Sequence, residues 1–167
     1  MTVEYEKQGN VGIITINRPD ARNAVNSDVA QGIEAAIDQI EADDEVWVGI
    51  LTGAKTEKGY IFCAGADLKQ MAVDPGGMST PNGGFGGFVQ RERTKPIIAA
   101  VDGICVGAGA IVAMASDLRL GTPDAKTAFL FTRVGLAGCD MGACAILPRL
   151  IGQGRAAELL YTGRVMT

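Results

Sequence analysis

Two short apolar runs, residues 60–63 and 97–101, each lead into a turn made almost wholly of glycine and alanine. The turns read Cys63-Ala64-Gly65-Ala66-Asp67-Leu68-Lys69 and Gly103-Ile104-Cys105-Val106-Gly107-Ala108-Gly109-Ala110, and a helix-like pattern follows each. A strand that hands over to a helix through residues without bulky side chains leaves main-chain N–H groups uncovered. Paired donors of that kind can hold a developing oxyanion without any side chain. Close packing of a helix on a sheet also calls for small residues, and it is the alternative reading of either turn alone. Their recurrence in one chain weighs toward the donor reading.

The surrounding pattern supplies the scaffold. Residues 3–7 and 11–16 alternate apolar and polar around Gly9-Asn10, which predicts a hairpin. Asn26 or Ser27 can cap a helix whose apolar face is Val29, Ile33, Ile37 and Ile40. A strand over 46–51, ending at Gly53, precedes a polar turn over 54–59, and a helix starting at 67–71 is stopped by Asp74-Pro75-Gly76-Gly77. Glycine, proline, serine and asparagine dominate through Gly87, which predicts a mobile loop or a plain connector. Arg91-Glu92-Arg93 reads as the solvated end of a helix. Strand and helix patterns then alternate over 110–115, 118–121 and 127–131, and two helices, 143–150 and 155–161, flank Gly152-Gln153-Gly154. No internal sequence repeat is visible, and the alternation predicts an α/β domain.

Composition narrows the function. A chain of 167 residues, 47% hydrophobic and 20% charged, suits one domain with a sizeable core. A net charge of −4 argues against a nucleic-acid surface. No apolar run is long enough to cross a bilayer, and no charged-then-apolar leader opens the chain, so a cytoplasmic protein with no membrane partner is the default expectation. Cys63, Cys105, Cys139 and Cys144 show no CxxC spacing and histidine is absent, which argues against structural zinc and against a Ser–His or Cys–His nucleophile. No metal is expected. Cys63 and Cys105 read as buried, inert thiols; Cys139 reads as a packing residue or as part of a pocket lining.

Several segments together resemble the crotonase family, the enoyl-CoA hydratase/isomerase superfamily. They are Asn17-Arg18-Pro19 with Asn23-Ala24; Phe62-Cys63-Ala64-Gly65-Ala66-Asp67-Leu68-Lys69; Pro96-Ile97-Ile98-Ala99-Ala100-Val101-Asp102-Gly103 through Gly107-Ala108-Gly109 to Ala115-Ser116-Asp117; and Leu147-Pro148-Arg149-Leu150-Ile151-Gly152 with Thr162-Gly163-Arg164. They occur in family order over nearly the whole chain. The resemblance implies a crotonase-like spiral of ββα units, an acyl-CoA thioester as substrate, no separate cofactor, and a homo-oligomer, either a trimer or a pair of trimers. Crotonases ordinarily continue past the Thr-Gly-Arg turn with helices that complete the subunit, so residues 1–167 are expected to form a core domain without that extension.

By position, the resemblance assigns the two oxyanion donors to the N–H groups of Ala66 and Ala108. It places main-chain atoms around Ala64 and Gly65 against the CoA adenine. Arg22, Ala24, Asp67, Leu68 and Lys69 lie in the same binding region, with Arg22 and Lys69 near the phosphates. A solvated surface charge is the alternative for those two. Family hydratases use two glutamates, one to deprotonate water and one to protonate the α-carbon. Ile111 stands where the first would fall, against the acyl group, and Thr132 and Arg133 occupy the second neighbourhood. One acid remains nearby, Asp140 in Gly138-Cys139-Asp140-Met141-Gly142, a run similar to the dienoyl-CoA isomerase branch. Asp140 is the candidate acid/base, its alternative being the cap of a helix starting near Met141. The implied reaction is enoyl- or dienoyl-CoA isomerisation. Hydration or thioester hydrolysis stands as the alternative, and a non-catalytic CoA-binding or assembly subunit as the alternative of another class.

Overall fold

The computed structural model describes residues 1–137 and 140–167, without the side chain of Asp140. Strands β1 (Val3–Gln8) and β2 (Val11–Ile16) form the expected antiparallel hairpin, turning at Gly9, whose φ of +59° lies in the region that favours glycine. Helix α1 (Ser27–Ala42) opens at Asn26, whose side chain accepts a hydrogen bond from the Val29 N–H. Val29, Ile33, Ile37 and Ile40 fall on one face at helical spacing, and all four are fully buried. Each such side chain contributes about 1.5–3 kcal/mol by leaving water.

Three ββα turns then follow one another. β3 (Val48–Gly53) precedes the small hairpin of β4 (Lys55–Thr56) and β5 (Gly59–Cys63), and helix α2 (Leu68–Val73) follows. After a two-stranded ribbon, β6 (Ser79–Thr80) with β7 (Gly84–Phe85), the rhythm repeats as β8 (Ile97–Val101), β9 (Ile104–Val106) and α3 (Ala108–Ala115). It repeats again as β10 (Leu118–Gly121) and β11 (Lys126–Ala128), followed by α4 (Ala143–Ile151) and α5 (Gln153–Thr162). The first strand of each turn joins one sheet, ordered β1-β2-β3-β8-β10, and the second joins another, ordered β11-β9-β5-β4. From β2 through β10, and from β5 through β11, neighbours run parallel. Stacking ββα units side by side yields two roughly matching parallel sheets with helices at their ends.

Five local readings change, the first being the strand over 127–131, which spans Lys126–Ala128 and gives way to a 3-10 turn from Phe131. The strand over 46–51 begins at Val48, because the Val46 N–H closes a turn onto the Asp43 carbonyl at 2.9 Å. The polar stretch 54–59 contains β4, paired to β5. The glycine-rich segment before Gly87 packs against α1: Met78 and Phe88 are buried, and a Cβ at Gly87 would lie 2.0 Å from the Ala30 carbonyl oxygen. Phe88 therefore belongs to the core. Arg91 and Arg93 lie outside any helix and bind down, Arg91 to Asp38 and Arg93 to the Ala115 carbonyl at 2.9 Å, with its guanidinium 4.5 Å from the Phe88 ring centre. Among the described residues, no helix is long and apolar enough to cross a membrane.

Candidate active site

β5 and β9 are parallel neighbours with Cys63 and Cys105 in register. Parallel strands lie about 4.8 Å apart, and each chain then makes the same three-residue step, from Cys63 to Ala66 and from Cys105 to Ala108. Register plus equal offset brings the two glycine-alanine turns level at the ends of adjacent strands, where open α/β sheets hold their ligands. The approach is close. A Cβ on Gly65 would sit 3.1 Å from the Val106 oxygen and 3.3 Å from the Ala108 nitrogen, and one on Gly107 would sit 3.9 Å from the Gly65 Cα. Gly65 has φ +103° and Gly107 φ +56° with ψ −126°, backbone that L side chains rarely adopt. Conformation calls for glycine at both positions, and space calls for it at Gly65 as well.

Ala108 is the first residue of α3, so its N–H has no intrahelical acceptor and points out of the positive end of the helix dipole. α3 is held rigidly. Every residue from Ala108 to Met114 is buried, and the Arg119 guanidinium donates to the Ala113, Met114 and Ser116 carbonyls at 3.3, 3.0 and 2.7 Å, which satisfies its C-terminus. Ala66 is bridged to Val25: the Val25 N–H donates to the Gly65 oxygen and the Asp67 N–H to the Val25 oxygen, each at 2.8 Å. This ladder uses both main-chain groups of Val25 and passes over the Ala66 N–H. Among the described residues, neither the Ala66 nor the Ala108 N–H has a protein acceptor.

The other candidate residues gather around the first turn. The Ala64 N–H donates to the Arg22 carbonyl at 3.2 Å, tying 22–24 to 64–69. Arg22, Leu68 and Lys69 are exposed, while Ala24 is buried and its carbonyl accepts from Arg18 Nη1 at 2.7 Å. The Asp67 carboxylate is engaged within the protein: Oδ1 caps α2 through the Lys69 and Gln70 N–H groups at 3.1 and 3.4 Å, and Oδ2 meets Arg18 Nη2 at 3.0 Å. Burial pulls the Asp67 carboxyl upward, but Arg18 and the two capping N–H groups outweigh it and hold the group below its ordinary value. Ile111 is fully buried on α3, one turn from Ala108. The candidate acid Asp140 starts a short 3-10 turn before α4, whose cap residue is Gly142; its side chain, with Gly138 and Cys139, lies outside the described residues.

Burial pushes the Cys63 thiol up to about 11, and its sulfur accepts from the Gly65 N–H at 3.4 Å; Cys105 is raised likewise, by burial and by the neighbouring Cys63. Both stay protonated at neutral pH and serve as packing beneath the turns, not as nucleophiles.

Two residues that brace the first turn, Arg18 and Asn23, carry no assigned role in the sequence analysis. Arg18 bridges Ala24 and Asp67. Asn23 is fully buried at φ +56°, with its amide nitrogen donating to the Ala54 and Ile61 carbonyls at 2.8 and 2.7 Å and its oxygen accepting from the Arg18 N–H at 3.0 Å. Asparagine tolerates the left-handed region better than most residues. The available signal was Arg18 before Pro19 and Asn23 four residues after it, two polar residues that no helix or strand pattern claims.

With this geometry in view, the chain can be set beside known proteins. The sequence profile of the enoyl-CoA hydratase/isomerase family matches residues 6–167. The chain belongs to that family. It is 39% identical to the short-chain-enoyl-CoA hydratase of Clostridium acetobutylicum, over 97% of this chain and 62% of the relative. It is 34% identical to the 1,2-epoxyphenylacetyl-CoA isomerase of Escherichia coli, over 92% of this chain and 60% of the relative. A crystal structure of a probable enoyl-CoA hydratase/isomerase from Mycobacterium abscessus superposes with a TM-score of 0.89 at 38% identity, covering 99% of this chain and 63% of that one. The stacked ββα turns are thus the crotonase fold. The chain spans about three-fifths of the length of these relatives.

Proposed function

We propose that this protein acts on acyl-CoA thioesters, binding the thioester oxygen between the Ala66 and Ala108 N–H groups and stabilising the enolate that forms when a neighbouring proton is removed. The observation that carries the reading is the registered pair of N–H donors at the ends of β5 and β9, which have no acceptor among the described residues. Each donor of such a pair is worth about 3 kcal/mol in the transition state. Exposed Arg22 and Lys69 flank the Ala64 turn, where they suit the CoA phosphates, and the substrate supplies the only CoA.

Isomerisation of the acyl double bond is the reaction we propose, with Asp140 removing a proton beside the thioester and returning it elsewhere. Ile111 supports this: it is apolar and buried at the position one turn beyond Ala108, so it cannot handle the water that hydration requires. Hydration is the second reading, favoured by the names of relatives such as the Clostridium hydratase. A homo-oligomer, a trimer or a pair of trimers, is the assembly we propose.

Incubation with a panel of enoyl- and dienoyl-CoA thioesters tests the reaction. Isomerisation changes the ultraviolet spectrum without changing the mass, whereas hydration adds one water. Asp140→Asn keeps the side-chain size and cannot shuttle a proton at neutral pH. It is expected to lower kcat about a hundredfold or more with thioester affinity nearly unchanged. Unchanged solvent deuterium exchange at the α- or γ-carbon in that variant would remove Asp140 from the mechanism.

A further inference from the structure

The two donors are held in different ways. The Ala108 N–H is fixed by an eight-residue helix whose first seven residues are buried. The Ala66 N–H precedes α2, a helix of six residues with none buried, and follows Gly65, a flexible joint at φ +103°. The peptide between them is held through its own carbonyl, the Gly65 oxygen accepting from the Val25 N–H at 2.8 Å, so its orientation depends on support for the segment that carries Val25.

One guanidinium supplies that support. Arg18 donates through Nη1 to the Ala24 carbonyl at 2.7 Å and through Nη2 to the Asp67 carboxylate at 3.0 Å. Ala24 and Asp67 border the Val25–Ala66 bridge, so one side chain clamps both strands of it. Arg18 is itself anchored: its N–H donates to the Asn23 side chain at 3.0 Å and its carbonyl accepts the Asn23 N–H at 2.9 Å, while the Asn23 amide holds the Ile61 carbonyl within β5. Both partners of the ion pair are largely shielded, with side chains 19% and 17% exposed, so the contact is not a solvent-screened surface pair. The forked geometry is specific to arginine, because an ammonium does not present two fixed, diverging donors.

We infer that Arg18 is a positioning residue for the Ala66 N–H: by joining the Ala24 carbonyl to the Asp67 carboxylate it holds the intervening peptide with that N–H aimed at the thioester oxygen. This rests on the proposed acyl-CoA reading. Removing Arg18 leaves the binding turn in place and loosens one of two donors, so polarisation of the bound carbonyl falls more than affinity does.

The probe is 4-(dimethylamino)cinnamoyl-CoA, a push–pull thioester whose long-wavelength absorption moves to the red as its carbonyl oxygen accepts hydrogen bonds. Binding to the parent protein is expected to produce that shift. Arg18→Met and Asp67→Asn are each expected to lose about half of it or more, with the dissociation constant changed less than about threefold. The double variant is expected to lose no more than either single one, because both break the same link. Arg18→Lys is expected to recover part of the shift. Circular dichroism establishes the fold, and Asp67→Asn, whose amide oxygen still caps α2, decides the matter where Arg18→Met does not fold. A parent that fails to bind the probe, or binds it unshifted, overturns the oxyanion reading and this inference with it. A shifted parent whose folded variants keep the full shift, or whose losses add, overturns the inference alone, as does unfolding of both single variants.

Discussion

At single residues the site is built by what is left out. Gly109 lies inside α3, where alanine has the higher helix propensity by about 1 kcal/mol. A Cβ there would stand 2.4 Å from the Cys63 carbonyl oxygen and 2.8 Å from its Cβ, both on β5. Such overpacking costs about 1–3 kcal/mol, which exceeds the propensity gain. Gly109→Ala is therefore expected to lower the melting temperature by a few degrees, roughly 2–4 °C per kcal/mol for a chain of this size, and to move the Ala108 N–H. A melting temperature equal to or above the parent's would show that helix and strand separate freely. Ile111 raises the converse question. Ile111→Glu puts a carboxylate at the position that the family resemblance links to water activation, and is expected to raise hydration of crotonyl-CoA above the parent's rate. The same burial raises the new carboxyl's pKa and lowers stability. Brisk hydration by the parent, followed as loss of the enoyl absorbance, would show that Ile111 does not occupy that position.

At the level of elements, what was legible in the sequence was what is local. The hairpin around Gly9, the Asn26 cap with its four-residue apolar face and both glycine-alanine turns are specified by neighbours in the chain. Each stands within a residue or two of the expected place. What was missed depends on partners far along the sequence. The strap over 91–95 looks like the charged end of a helix, yet it is pinned to α1: Glu41 accepts from the Thr94 and Lys95 N–H groups, and Lys95 Nζ donates to the Ile40 and Asp43 carbonyls at 2.7 and 2.6 Å. Asp67 shows the same limit within the site, since nothing adjacent to it announces the salt bridge to Arg18, 49 positions away. The strap makes a pH prediction. Burial pulls Glu41 upward, but the Thr94 hydroxyl, the two N–H groups and the Lys95 charge together hold its carboxyl below the ordinary value. A carboxyl depressed in the folded state contributes stability above its unfolded pKa, near 4.3 for glutamate, and loses that contribution as pH falls through the folded value. Glu41→Gln is expected to be less stable than the parent at pH 7 and to lose less on acidification to about pH 3, read from urea midpoints. Parallel pH profiles for the two proteins would assign the acid sensitivity elsewhere.

For the whole molecule, the N-terminus and the flank of α3 face different surroundings. Its N-terminus meets the candidate oxyanion site. Its flank, through Ala110, Ala113 and Met114, forms one wall of an apolar cleft of about 330 Å³ completed by Leu120, Leu147 and Ile151. Leu118 and Leu120 on β10, the edge strand of the larger sheet among the described residues, are 58% and 65% exposed, and Leu150 beside the cleft is 45% exposed. An edge strand whose leucines face solvent next to an apolar cleft is a surface that monomers seldom leave bare, because both the unpaired ladder and the apolar area favour association. This surface is the observation on this chain that supports the proposed oligomer. Light scattering across a dilution series is expected to show self-association that declines at low concentration. Leu120→Lys, on the edge strand and away from both glycine turns, is expected to shift the population toward monomer by at least about tenfold in dissociation constant, which corresponds to 1.4 kcal/mol. The 4-(dimethylamino)cinnamoyl-CoA shift in that variant separates two roles for assembly. A retained shift means that each subunit builds its oxyanion site alone, and a lost one means that association holds α3 in place. A parent that stays monomeric at every concentration would contradict the proposed oligomer and leave the cleft to a different occupant.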